Sequence, residues 1–147
     1  MDRIDRIIKL PKVDLDSARK LLREDGSLNL TEVARRNWVS YEIDDKAIFG
    51  DDAVRLAKAF LRVGSDHFFI FSTFDILSKN DIASGYILNS TPSEIEEFQG
   101  VSWGEINLDD CLMFNLPMTS AVWRPGRVES TRFVGVPEFI LEMVGQE

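Results

Sequence analysis

Apolar residues recur at two spacings along this chain, and each spacing predicts a kind of element. Leu15, Ala18, Leu21 and Leu22 fall three or four apart, the period of one helix face. They predict a helix over 14–25, capped by Asp14 or Asp16 and closed by Gly26. TEVARR, from Thr31 to near Asn37, predicts a shorter second helix. WVSYEI, over 38–43, alternates apolar and polar and predicts a strand. The strongest helical pattern spans 51–63: Val54, Leu56, Ala57, Phe60 and Leu61 form the inward face, with Arg55, Lys58 and Arg62 outside. Asp51 and Asp52 stand at the positive end of its dipole, Arg62 at the negative end, and Gly64 ends it.

The second half reads differently. HFFIFSTF, over 67–74, is apolar on both alternating faces and too short for a core helix, which predicts a buried central strand. Strands follow over 85–89, 111–116, 121–123 and 131–134, with a turn at Pro125-Gly126. Thr91-Pro92-Ser93-Glu94 is a helix-start signal for a short helix through Phe98 that Gly100 stops. PEFILEMV predicts a terminal helix from Pro137, with Phe139, Ile140 and Met143 on one face and Gly145 at its end. Helix-rich sequence first and hairpin-spaced strands later imply an α+β fold. The expectation is a single domain over 1–147, a mostly antiparallel sheet packed against N-terminal helices and a short C-terminal helix.

Charge divides the chain as sharply as the apolar pattern does. Residues 1–73 hold 13 basic and 13 acidic side chains, whereas residues 74–147 hold 4 and 12, so the whole net charge of −8 lies in the second half. Between Lys79 and Arg124, 44 residues pass without a Lys or Arg, among seven acids. Such a field favours cationic partners and disfavours nucleic acid and anionic membrane. The N-terminus begins with alternating charges and lacks the apolar core of a secretory signal, and no apolar run is long enough to span a membrane. A cytoplasmic protein is expected.

Candidate chemistry is sparse. One His and one Cys are too few for a zinc site of the usual ligand types. Cys111 sits in the apolar run CLMFNLP, where a small buried hydrophobe is expected. His67 would need a carboxylate such as Glu42 or Asp66 beside it to act in catalysis. The pairs Asp44-Asp45, Asp51-Asp52 and Asp109-Asp110 lack the spacing of a calcium loop. No glycine-rich phosphate loop or GxSxG elbow occurs. Arg35 and Arg36, and Arg124, Arg127 and Arg132, could grip a carboxylate or phosphate, but the last three, beside the acid-rich segment, fit charge balance within the fold better. No metal, cofactor or catalytic residue is therefore expected.

What remains is the acidic segment, where Glu94, Glu96, Glu97, Glu105, Asp109 and Asp110 are interleaved with Phe98 and Trp103. Acids around an aromatic anchor suit a protein partner with a basic surface. A solvated face that keeps the protein in solution is the plain alternative. In size, charge and lack of motifs the chain resembles bacterial immunity proteins, which neutralise a cationic toxin such as a nuclease by direct binding. A secretion chaperone holding an extended effector segment is a second expectation, and a small hydrolase or transferase using His67 a third.

Overall fold

Phe68 to Phe71 are all buried, and the sheet around them explains why a strand can be apolar on both faces. The computed structural model describes residues 7–45, 48–78, 83–101, 110–125 and 130–145. Within them the order is β1 (Ile7–Leu10), α1 (Lys12–Lys20), α2 (Leu30–Arg35), β2 (Val39–Ile43), α3 (Asp51–Arg62), β3 (His67–Ser72) and α4 (Thr73–Leu77). Then come β4 (Ala83–Asn89), α5 (Pro92–Val101), β5 (Cys111–Phe114), β6 (Ser120–Arg124), β7 (Thr131–Gly135) and α6 (Pro137–Val144). The strands form one sheet in the order β1-β4-β3-β5-β6-β7-β2, and every pairing is antiparallel. The fold is α+β, and β3 lies inside the sheet between β4 and β5.

Helices cover both faces. Phe68, Ile70, Tyr86, Cys111, Met113, Val122 and Phe133 point to one side and pack with Leu56, Phe60, Ile95, Phe98, Phe139 and Met143 of α3, α5 and α6. Phe69, Phe71, Leu112, Phe114, Ala121 and Val134 point to the other and pack with Leu15, Ala18, Val33 and Ile76 of α1, α2 and α4. The alternation of side chains along each strand divides the residues this way. Phe60 stacks on Phe68 at 4.5 Å on the first face, and Phe71 on Phe114 at 5.8 Å on the second. Gly85 of β4 is required by close approach, since a Cβ there would lie 2.5 Å from the Ile70 carbonyl and 2.6 Å from the Phe71 ring.

The elements correct the sequence reading in several places. α1 begins at Lys12 after Pro11 and ends at Lys20, not near 25. The chain then turns sharply, with Leu22 bridging to Leu28 and Gly26 at φ +87°. Asp16 does not cap the helix but pairs with Arg19 at 3.0 Å. β1 was not foreseen. The aromatic strand ends at Ser72, whose hydroxyl accepts from the Asp75 amide and starts α4. Phe74, expected in the strand, is consequently 78% exposed. Val54 and Leu61, expected on the inner face of α3, are exposed instead, because Ala53, Leu56, Ala57 and Phe60 already fill it. α5 runs through Gly100 to Val101.

Candidate partner-binding site

The acids of α5 are placed by what their carboxylates hold. Thr91 precedes the helix and accepts from the Glu94 amide at 3.3 Å. Glu94 reaches back to the end of β4, accepting from the Asn89 amide and from its Nδ2, both at 2.9 Å. Glu96, half-buried, accepts from the Gly50 amide at 2.7 Å. Gln99, buried about one turn later in the helix, accepts from the Ile48 amide and donates to its carbonyl, each at 2.8 Å. Two α5 side chains thus fasten the segment that leads into α3. Glu97 is exposed.

The remaining expected residues fare differently. Phe98 is only 3% exposed and belongs to the core, with the Arg124 guanidinium 5.7 Å from its ring centroid. Asp110 closes the start of α4: its carboxylate accepts from the Thr73 hydroxyl at 2.7 Å and its carbonyl from the Thr73 amide at 2.9 Å. Trp103, Glu105 and Asp109 lie outside the described residues. The structure therefore ties Glu94, Glu96 and Asp110 to backbone or hydroxyl donors of neighbouring elements.

The arginines separate. The register of β6 on β7 sets Arg132 opposite Trp123, so Arg124 and Arg132 point to opposite faces of the sheet. Arg124 is buried, its Nη1 3.9 Å from the Cys111 Sγ, while Arg132 lies 3.7 Å from Glu42. Arg127 is outside the described residues. Arg35 and Arg36 both grip Glu32, at 2.6 and 2.7 Å. The hydrogen bond from Arg35, seconded by Arg36, holds the Glu32 carboxyl down to about 2. Arg36 also lies over the Trp38 ring at 4.9 Å.

His67 Nδ1 is 2.7 Å from the Asp66 carboxylate, and both side chains are exposed. Its ring meets Phe69 edge-on at 5.7 Å. Glu42, the other carboxylate considered for it, is on β2, four strand positions away and thus about 19 Å across the sheet. Among the described residues, no three His, Cys, Asp or Glu side chains converge to hold a metal, and no helix is long and apolar enough to cross a membrane.

Phe49 is half exposed and lies between Ile48 and Gly50, the two residues that Gln99 and Glu96 hold. Its signal in the sequence is FGDD, an aromatic before a glycine and an acidic helix start. No protein-family model, curated protein or solved structure matches the chain.

Proposed function

We propose that the protein is a non-catalytic binding protein whose acidic side meets a protein partner with a basic surface. In its most concrete form it is a bacterial immunity protein that neutralises a cationic toxin, such as a nuclease, by direct binding. The observation that supports this reading is the hydrogen bond between Glu96 and Gly50. It brings α5 against the start of α3, so Glu96 from the second half of the chain lies beside the start of the helix that carries Asp51 and Asp52. Residues 44–52 and 92–101 together carry seven acids and one base, Lys46. A carboxylate that accepts from an amide keeps its charge, so this side retains a negative field that steers a basic partner.

The test is kinetic. Association with a basic toxin domain, such as a nuclease domain, is measured from low to moderate salt, for the wild type and for Glu97→Lys with Glu105→Lys. The reversals are expected to slow association and flatten its salt dependence, since steering is screened within about 8–10 Å at such ionic strengths. Full protection of cells from that toxin by the reversed variant, with an unchanged association rate, defeats the reading.

A further inference from the structure

We propose that Phe49 is the apolar anchor of that surface, presented to a pocket in a folded partner domain whose rim is basic. The inference rests on the binding reading above and names the contact on which dissociation depends. The sequence pattern points to Phe98 and Trp103 for this role, but Phe98 is in the core, whereas Phe49 stands 50% exposed beside the same helix.

Three features hold Phe49 in place. Ile48 before it is buried, with both its amide and its carbonyl bonded to the Gln99 side chain at 2.8 Å. Gly50 after it gives its amide to Glu96 and adopts φ +59°, a backbone region open to glycine, which turns the chain into α3. The Phe49 carbonyl accepts from the Asp52 amide at 3.2 Å. An aromatic residue on a backbone fixed at three consecutive residues loses little freedom on binding, which is what a strong anchor needs. Phe49 and Val54 also stand at the two positions of a hydrophobic staple, the residue before the N-cap and the fourth of the helix. A staple sets the entry of the chain into α3, yet Phe49 and Val54 both remain partly open to solvent.

Charge decides the occupant. Asp51 and Asp52 follow Phe49 by two and three residues, and the Glu96 carboxylate touches the residue next to it. An apolar group with carboxylates beside it disfavours an acidic surface, a second copy of this chain included, and suits a pocket bordered by Lys and Arg.

The experiment places the photocrosslinker benzoylphenylalanine at position 49, and in a control at Phe74, the most exposed aromatic elsewhere among the described residues, in cells of the source organism. The expected result is an adduct from position 49 only, mapping to a Lys- and Arg-rich surface, and formed poorly when a lysate is irradiated in high salt instead. No adduct at 49, or the same adducts from both positions, overturns the proposal. With the crosslinked protein purified, Phe49→Ala is expected to raise the dissociation rate at least 30-fold while Phe49→Trp stays within a few-fold of wild type. Asp52→Lys with Glu97→Lys is expected to act mainly on association. If the charge reversals weaken binding and Phe49→Ala does not, the anchor is wrong and the binding reading stands. If neither changes binding, both fall. A Phe49→Ala variant that loses thermal stability but keeps the wild-type dissociation rate shows a staple only, which also overturns the anchor.

Discussion

The layer of α1, α2 and α4 and the helix α5 on the other face of the sheet treat their carboxylates in opposite ways. In the layer of α1, α2 and α4, acids meet bases: Glu32 is held by Arg35 and Arg36, and Asp16 by Arg19 and Lys12. In the layer of α3, α5 and α6, Glu142 of α6 still meets Arg62 of α3 at 3.3 Å, but on α5 Glu96 meets a backbone amide, and α5 contains no Lys or Arg at all. Both arrangements satisfy the oxygen lone pairs. Only the first removes charge from the surface, because an amide donor carries no net charge. Hydrogen-bond satisfaction and neutralisation are separate quantities, and their separation gives this molecule an acidic side.

The comparison can be broken first at the core. Each layer is expected to contribute a full hydrophobic face, so Phe68→Ala on the α3 side and Phe71→Ala on the α1 side should each cost about 3–5 kcal/mol. Both residues are fully buried. Urea unfolding of the two variants measures this directly. A loss below about 1 kcal/mol for one of them would mean that its layer only shields the sheet.

Gly85→Ala probes the same α1-side layer from the backbone. Its new methyl would meet the Ile70 carbonyl and the Phe71 ring, and a carbonyl in a paired strand cannot move aside as a side chain does. A loss of about 1–3 kcal/mol is expected, the range for overpacking. A variant as stable as wild type in urea would show that β3 and β4 slide apart at no cost.

Glu32 tests the neutralised layer by pH. Its folded-state carboxyl, near 2, lies below the ordinary value of 4.5, so the folded state binds its proton less readily than the unfolded chain does. The stability it contributes is therefore complete above about pH 4.5 and is lost as pH falls from there through about 2. Glu32→Gln is expected to lower stability by about 1–2 kcal/mol at neutral pH and by only a small remainder at pH 2, where the folded-state carboxyl is half protonated. Unfolding curves at pH 7, 3.5 and 2 should converge. Parallel curves at all three would mean that the arginines contribute by packing alone.

How much of this was legible depended on the range of the interaction. The aromatic run of β3, the helix of α3 and the start of α5 at Thr91-Pro92 follow from local spacing, and the structure has them. The second helical layer over HFFIF is implied by a strand that is apolar on both faces. Local signals misled where a short polar contact redirected the chain: Ser72 capping α4 cut the strand before Phe74, and the Leu22–Leu28 bridge ended α1 early. The candidate site was less legible than the fold. That Glu96 and Gln99 would hold residues 46 and 51 positions away in sequence has no local signature. An exposed Phe49 therefore could not be distinguished from another core aromatic. Phe98 shows the converse, a residue set among acids in sequence and buried in space.

The smallest expected effect sharpens the comparison most economically. His67 points to the α1 side of the sheet, the face opposite α5, since it alternates in phase with Phe69 and Phe71. Its ring is about half exposed, and its Asp66 partner more so. An exposed pair of adjacent residues contributes little to folding, so His67→Ala should change stability by no more than about 0.5 kcal/mol. If function resides on the α3–α5 side, the variant should also bind or protect within a few-fold of wild type, while Phe49→Ala does not. The two variants are best compared in one assay, with melting temperatures measured on the same preparations. Loss of activity in a His67→Ala protein that remains equally stable would move the working site to the other face. The Asp66–His67 pair would then be the place to look for proton transfer.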